Sequence, residues 1–330
     1  MRTNRQLPLL SVAAIAVAVL AVSSSAPLIA FAAAPALAIA FWRNALAAVA
    51  LTPVTLSLRR SELHDLTRGG RRRAGMFCVL AGLALAAHFA TWMPSVQLGS
   101  VATAAALVAT QPVWQGLIAA AQGRRPTLAG WLGIALAVAG AAWATGADIG
   151  ISSQAVLADV LALLGGMAAA VYTALGERAR SQLSTTSYTW VCYGTCAVAL
   201  LVVCLAARVQ LTGYAATTWA AILAIVVGAQ LLGHSMFSYA IRRVSATTIS
   251  VLLLLEVPGA ALLAWLWLGQ EPRAAALPGL ALLLAGVAVV IVGGAVRPSR
   301  TAPTPSLADG ADPTFTNPPP PGDQPVRPDR

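Results

Sequence analysis

Five ionisable side chains stand inside long apolar segments of this sequence: Arg43, His88, Asp159, His234 and Glu256. An ionised group at the centre of a membrane span costs about 2.5–3.5 kcal/mol on insertion scales, so it must face a polar cavity, pair with an opposite charge or change its protonation. Arg43, His88, His234 and Glu256 are therefore the first candidates for solute binding and proton transfer. Asp159 lies about one turn from the end of its predicted helix and is interpreted as a cap or interface anchor rather than a transport residue.

Glu256 lies near the middle of an apolar segment, two residues before Pro258. One interpretation is a carboxylate that couples solute movement to protons or senses a bound solute. The other is a structural carboxyl that hydrogen-bonds the backbone beside Pro258, because a proline inside a helix leaves a carbonyl without its donor. The sequence leaves both interpretations open.

Arg43 also lies near the middle of an apolar segment, and its guanidinium stays charged at every relevant pH. It could bind a carboxylate or phosphate of a substrate. The rival interpretation is a fixed partner for Glu256 or for the carbonyls at a helix end, and the sequence favours this rival slightly.

His88 and His234 are 146 residues apart and occupy the same place in two copies of one repeated segment. Each predicted helix also carries polar or aromatic residues one turn away on the same face, namely Thr91 and Trp92 beside His88, and Gln230 and Ser238 beside His234. We expect the two histidines to approach each other, either in a solute pathway or as packing residues. No third ligand follows at helical spacing, so we expect neither a metal nor any other cofactor.

Gln111, Trp114 and Gln115 share one helical face and could form the wall of a solute cavity. Ordinary hydrogen bonding between helices is the alternative. Tyr172 and Tyr239 are further candidates for the pathway, although tyrosines also gather at membrane interfaces.

The elements that position these residues follow from composition. With 58% hydrophobic and 10% charged residues and a mean hydropathy of +0.76, the sequence predicts an all-α integral membrane protein. The net charge of +10 comes from arginines clustered between apolar segments, which is the pattern of membrane loops and argues against nucleic-acid binding. Ten transmembrane helices are predicted, near 7–25, 32–56, 75–94, 99–121, 127–146, 154–176, 187–207, 216–240, 246–268 and 274–295.

An internal duplication organises these helices. Residues 88–140 align with 234–286 without a gap and match at positions that composition does not explain, including Pro112 with Pro258 and Gly133 with Gly279. Five spans is an odd number, so the second copy must enter the membrane in the opposite sense, as the arginine positions also indicate. We predict two inverted five-helix repeats, 1–147 and 148–296, and a disordered Pro-rich cytoplasmic tail over 297–330.

The motifs of both copies resemble the ten-helix EamA branch of the drug/metabolite transporter superfamily. The resemblance covers about residues 8–295 and rests on the order and spacing of short motifs. They are Ser25-Ala26-Pro27, Phe41-Trp42-Arg43, Thr110-Gln111-Pro112-Val113-Trp114, Ala158-Asp159-Val160-Leu161-Ala162-Leu163, Leu255-Glu256-Val257-Pro258 and Gly269-Gln270-Glu271-Pro272. The family usually has Glu directly followed by Pro in span nine, whereas Val257 intervenes here.

The resemblance implies a secondary transporter that exports a small metabolite, amino acid or drug by alternating access. Transport would be driven by protons, with Glu256 as the coupling group, or by the solute's own gradient. No nucleotide-binding loop is present, and the sequence lacks the convergent acids or nucleophile of an intramembrane enzyme. A channel or receptor is the main alternative. We expect a bacterial cytoplasmic membrane location with both termini in the cytoplasm, whereas the sequence leaves the substrate and the oligomeric state open.

Overall fold

Long runs of Ala, Leu and Val, broken by Pro, Gly and Arg clusters, fold into helices throughout the chain. The computed structural model describes residues 9–293 apart from 69, 99–103, 105–106, 125, 146–152, 269–273 and 275–276, so the predicted tail over 297–330 lies outside the described residues. The first copy contains α1 (Leu9–Ser23), α2 (Ser25–Phe31), α3 (Ala36–Leu58), α4 (Arg60–Arg68), α5 (Arg72–Leu98), α6 (Gln111–Ala121) and α7 (Leu128–Thr145). The second contains α8 (Ser153–Arg180), α9 (Thr185–Ala206), α10 (Ala216–Ile225), a π-helical stretch (Val226–His234), α11 (Ser235–Ala240), α12 (Ala246–Leu253), α13 (Glu256–Leu268) and α14 (Leu277–Gly293).

Six helical segments in the described part are long and apolar enough to cross a membrane, and three shorter apolar helices accompany them. The six are Ala36–Leu58, Arg72–Leu98, Val156–Arg180, Thr185–Ala206, Ala216–Ala240 and Ala246–Trp267; the shorter three are Ala13–Ile29, Leu128–Gly140 and Leu277–Val290. Their outer surface carries large apolar side chains, such as Leu128, Leu20 and Val49, which are 74%, 69% and 66% exposed. Such a surface suits lipid rather than water. The count of ten crossings stays a prediction.

Two pairs of helices that are equivalent in the duplication pack against each other in antiparallel orientation. In the α3–α9 pair, the Trp190 indole donates to the Thr52 hydroxyl at 3.0 Å, and the Cys204 thiol donates to the Leu37 carbonyl at 3.5 Å. Residue numbers therefore rise along one helix as they fall along the other.

The α7–α14 pair shows the same relation through its glycines. A Cβ added at Gly133 would lie 2.8 Å from the Gly286 carbonyl oxygen, and one added at Gly140 would lie 2.6 Å from the Gly279 carbonyl oxygen. Gly133 and Gly279 are equivalent positions, 146 residues apart, and so are Gly140 and Gly286. The second contact is therefore the first contact with the two copies exchanged. This reciprocity is what a twofold relation between the two helices produces.

Helix α4 lies within residues 57–74, which the sequence analysis treated as a loop. Its Leu66 packs against Gly75 at the start of α5. Its Glu62 carboxylate accepts hydrogen bonds from the Ser184 amide at 2.7 Å, the Ser184 hydroxyl at 2.6 Å and the Ser187 hydroxyl at 2.7 Å. Burial alone would raise the pKa of Glu62, but these hydrogen bonds outweigh it and hold the pKa below its ordinary value. Glu62 thus ties α4 to the first turn of α9.

The predicted spans four and nine are both broken at their prolines. A turn at Ala109 and Thr110 precedes α6, and a turn at Leu254 and Leu255 separates α12 from α13. Proline lacks an amide hydrogen and its ring clashes with the carbonyl four residues earlier, so Pro258 disrupts the helix at Leu254. Each span was predicted as continuous. In the described residues, a turn precedes α6 in span four and a turn divides span nine into α12 and α13, at nearly matching positions of the two copies.

Candidate functional site

A small, partly open cavity lies beside the broken helices. Its water-accessible volume is about 40 Å³, enough for a few water molecules and far below the size of a metabolite site. The first copy contributes His88 and Gln111, and the second contributes the other described residues of the lining. Those are Ala169, Tyr172, Thr173, Gly176, Tyr188, His234, Phe237, Ser238, Ile241, Ile249 and Leu253.

The two repeated histidines line this cavity and share one neighbour, Phe89. The Phe89 ring centroid lies 4.9 Å from that of His88 and 5.7 Å from that of His234. The His88 Nδ1 atom lies 3.0 Å from the Gly165 carbonyl oxygen, which can only accept, so Nδ1 carries a proton. In a neutral ring, Nε2 is then free to accept a hydrogen bond. Trp92 stacks on His88 at 5.7 Å between ring centroids.

Gln111 connects the two copies at the cavity wall. Its Nε2 donates to the Thr173 hydroxyl at 3.2 Å and to the Ser250 hydroxyl at 3.1 Å. Gln111 opens α6, whereas Thr173 lies on α8 and Ser250 on α12. One amide thus joins the broken helix of the first copy to two helices of the second.

Arg43 lies on α3 next to this cavity, and its side chain is almost completely buried. Its Nε donates to Gln230 Oε1 at 2.8 Å, and Gln230 Nε2 donates in turn to Asn44 Oδ1 at 2.9 Å. The guanidinium carbon stands 4.2 Å from the centre of the Phe89 ring, in a cation–π contact. The Nη1 and Nη2 atoms have no hydrogen-bond partner among the described residues.

This arrangement gives Arg43 a partner that neither sequence interpretation named. No ion pair joins Arg43 to Glu256 or to any other described carboxylate. A buried charge without a full set of partners costs several kcal/mol, so the chain retains this guanidinium at a real cost in stability.

Glu256 is the first residue of α13 and is half-buried. Its carboxylate forms no ion pair with a described residue, and its charge interacts with that of Arg43 through space. The break before α13 places Glu256 at a helix N-terminus. The free amide groups there stabilise a negative charge, so they lower the cost of a carboxylate at this position.

The second histidine belongs to a π-helical stretch, Val226–His234, which the sequence analysis did not predict. The Ser235 amide bonds back to the Gln230 carbonyl, five residues earlier. Such wide turns are rare and often occur at functional sites. Here the wide turns carry both Gln230, which holds Arg43, and His234, which lines the cavity.

Five predicted pathway residues lie outside the described lining of the cavity: Arg43 and Trp92, whose contacts are given above, and Trp114, Gln115 and Tyr239. The Trp114 indole donates to the Thr110 hydroxyl at 3.1 Å, within its own helix turn. Gln115 is fully buried, and its amide has no partner among the described residues. The Tyr239 hydroxyl accepts from Arg243 Nη1 at 3.0 Å, close to the end of α11.

Two hydroxyls of the site were not predicted from the sequence: that of Thr173, which lines the cavity, and that of Ser250, which bonds Gln111 behind the cavity wall. The sequence offered only a weak indication of their role, because isolated Thr and Ser residues occur throughout apolar helices. There their hydroxyls usually donate to the carbonyl four residues earlier. Both do so here, to Ala169 at 2.8 Å and to Ala246 at 3.0 Å.

A second, open cleft of about 290 Å³ lies next to the cavity, and Ile241 lines both. Its wall includes Glu177, which joins the two copies. Arg124 Nη1 and Nη2 donate to the two Glu177 carboxylate oxygens at 3.0 and 2.8 Å, and Glu177 Oε1 also accepts from the Ala246 amide at 3.4 Å. The hydrogen bonds to Glu177 raise the pKa of Arg124. The pair therefore ties the α6–α7 connection to α8 and α12.

Comparison with known proteins identifies this architecture. The model of the EamA-like transporter family matches the chain twice, over residues 8–146 and 156–292. The chain belongs to the EamA-like transporter family. The resemblance found in the sequence is thereby confirmed. None of the curated proteins matches this EamA-like chain significantly. A solved crystal structure shares its fold with a TM-score of 0.67, at 20% sequence identity, over 86% of this chain and 96% of that chain.

Family membership makes this EamA-like protein a multi-pass membrane transporter built from two repeats, with a small-molecule substrate and the lipid bilayer as its surroundings. The family consists of transporters rather than enzymes.

Proposed function

We propose that this EamA-like protein is a secondary active transporter that exports a small metabolite, amino acid or drug from the bacterial cytoplasm by alternating access. It would do so with ten spans arranged as two inverted repeats, 1–147 and 148–296, and with both termini in the cytoplasm. Arg43, His88, Trp92, Gln111, Tyr172 and His234 are the residues of its proposed solute pathway.

The observation that carries this proposal is the cavity at the helix breaks. In transporters with inverted repeats, substrates bind near the membrane midplane where discontinuous helices of the two halves meet. Here Gln111 at the start of α6 bonds across the cavity wall to helices of the other copy. The antiparallel packing of α3 with α9 and of α7 with α14 supports inversion of the copies.

The small volume of the cavity supports alternation between states. A cavity of about 40 Å³ cannot hold a metabolite, so the two halves must move apart for a solute to enter. A narrow site that widens by rearrangement suits a transporter better than a permanent pore.

We further propose that Glu256 couples transport to protons. Its carboxylate lies at a helix break, has no ion-pair partner in the described part of the chain and sits near the fixed charge of Arg43. A carboxylate in this position can bind and release a proton as its access to water changes.

Metabolite profiling of cells that lack or overexpress the protein tests the function. We expect a small set of extracellular metabolites to rise with expression, and the purified protein in liposomes to exchange the best candidate with saturation and countertransport. Unsaturable flux without countertransport would indicate a channel, and the absence of any flux would contradict the proposal.

The coupling role is tested with Glu256→Gln in the same liposomes. We expect downhill exchange to persist while its dependence on an imposed pH gradient disappears, because glutamine cannot carry the proton. Asp159→Asn is the matched control, since Asp159 is another half-buried carboxylate of an apolar helix but lies inside α8 rather than at a helix break. Unchanged pH-gradient dependence in Glu256→Gln would remove Glu256 from the coupling role.

A further inference from the structure

Two arginines of the described chain, Arg43 and Arg180, are almost completely buried, and their hydrogen bonding differs. Arg180 uses all three of its nitrogens: Nε donates to the Ser238 carbonyl at 2.8 Å, Nη1 to the Leu183 carbonyl, and Nη2 to the Thr185 hydroxyl at 2.6 Å. Arg43 uses only Nε, and its two terminal nitrogens have no partner among the described residues. Arg180 is therefore a structural arginine, whereas Arg43 retains unused donors.

The unused donors of Arg43 are held in a fixed orientation. Gln230 binds Nε on one edge, and the Phe89 ring covers one face of the guanidinium at 4.2 Å. Gln230 is itself held by Asn44, whose Nδ2 donates to the Ala40 carbonyl at 2.9 Å. The edge formed by Nη1 and Nη2 is what remains for a ligand. Two parallel N–H donors on a planar cation match the two oxygens of a carboxylate.

The guanidinium of Arg43 lies one aromatic ring from the cavity. Phe89 contacts Arg43 on one side, and its ring also touches His88 and His234, which line the cavity. Widening the cavity past Phe89 would therefore bring a solute to the guanidinium. Among the described carboxylates, only that of Glu256 lies near enough for its charge to act on Arg43. It forms no ion pair with Arg43 and does not occupy the Nη1–Nη2 edge.

We infer that the Nη1–Nη2 edge of Arg43 is an anion subsite that binds a carboxylate of the transported solute. Gln230 and Asn44 act as positioning residues that aim the guanidinium. The solute class is then an organic acid or a zwitterion with a free carboxylate, rather than a neutral or purely cationic drug. This inference rests on the proposed transport function.

The test begins with the metabolites whose export depends on the wild-type protein. We expect each of them to carry a carboxylate. In liposomes, countertransport of the strongest of these metabolites is compared with that of its primary amide, which keeps the shape and loses the charge. We expect the acid to have a KM about 10-fold to 100-fold below that of the amide, the range of one lost charge-assisted hydrogen-bond pair.

Variants then assign this preference to Arg43. Arg43→Lys keeps the charge but not the planar fork, and Gln230→Ala keeps the arginine but frees its Nε. Both should raise the KM for the acid and leave the KM for the amide unchanged. Arg178→Lys is the matched control, because Arg178 also stacks on a phenylalanine, Phe77 at 5.6 Å, but is exposed. Its acid preference should equal that of the wild type.

Several results would overturn the inference while leaving transport intact. They are an exported set without carboxylates, a wild-type protein indifferent to amidation, or an Arg43→Lys variant that slows acid and amide equally. If Arg43→Lys and Glu256→Gln lose transport equally, and lose it for acid and amide alike, the Nη1–Nη2 edge interacts with Glu256 rather than with the solute. If no metabolite depends on the protein, the proposed function itself fails. If Arg43→Lys does not fold, the inference is still tested by Gln230→Ala and by the comparison of acid with amide in the wild type.

Discussion

The glycine seam between α7 and α14 offers the sharpest prediction about how the two copies meet. We take Gly133→Ala and Gly286→Ala as the perturbations. A Cβ at Gly133 would lie 2.8 Å from the Gly286 carbonyl oxygen, against 3.4 Å for ordinary contact, so the helices must separate by about 0.6 Å. A Val290 methyl group lies nearer still to the Cβ at Gly133, at 2.6 Å, whereas the atoms nearest to a Cβ at Gly286 all belong to the backbone and cannot rotate away.

The expected cost follows from this overlap. Overpacking a close contact costs about 1–3 kcal/mol, and alanine regains at most about 1 kcal/mol over glycine as a helix former. We expect a net loss of about 1–2 kcal/mol for each variant, or a fall in Tm of about 2–8 °C. The double variant should lose less than the sum, because both substitutions push the same two helices apart.

The assay uses the thiols of the chain itself. Cys78, Cys192, Cys196 and Cys204 are free and buried, so a thiol-reactive fluorophore reports unfolding of the purified protein during a thermal ramp. Gly194→Ala is the control, because a Cβ there meets nothing within 4 Å. If Gly286→Ala behaves like Gly194→Ala, the helices do not touch through this face and the paired arrangement of the copies is wrong.

Three further predictions concern the polar ends of the helices. Arg124→Gln should break both hydrogen bonds to Glu177, which lines the cleft beside the cavity, and speed the labelling of a cysteine placed in the cavity, while stability changes by about 1 kcal/mol or less for a pair whose side chains are 30% and 20% exposed; unchanged labelling would show that this pair does not limit access to the cavity. Cysteines at Leu98 and Arg242 should react with an impermeant maleimide from opposite sides of the membrane, and reaction from one side only would refute inversion. Because the pKa of Glu62 is depressed, its contribution to stability is present above its ordinary pKa and is lost as the pH falls below that value; thermal ramps should show the loss in wild type but not in Glu62→Gln.

The duplication was the part of the fold that the sequence predicted best. His, Pro and Gly matches 146 residues apart indicated two copies, and the odd number of spans per copy indicated inversion. Gly133 and Gly140 were interpreted as packing faces, and their contacts with Gly286 and Gly279 show two equivalent helices packed in this way. Such features are visible because few other residues can replace Pro or Gly at a break or a close contact.

The local geometry of the site was not predictable in the same way. Nothing in the sequence Val226–His234 marks a π-helix, whose hydrogen bonds join residues five apart instead of four. The partner of Arg43 depends on this geometry, since Gln230 reaches it across 187 positions of sequence. Helix α4 was missed because it is short, polar and stabilised mainly by contacts of Leu66 and Glu62 with distant segments.

The most direct test of alternating access is the accessibility of the cavity itself. A single cysteine replaces Thr173, which lines the cavity and accepts a hydrogen bond from Gln111, in a protein whose four native cysteines are changed to serine or alanine. An impermeant maleimide is applied to right-side-out and to inverted vesicles. The account predicts labelling from both sides, slowed in both by the transported solute. Labelling from one side only, or labelling that no exported solute affects, would contradict it.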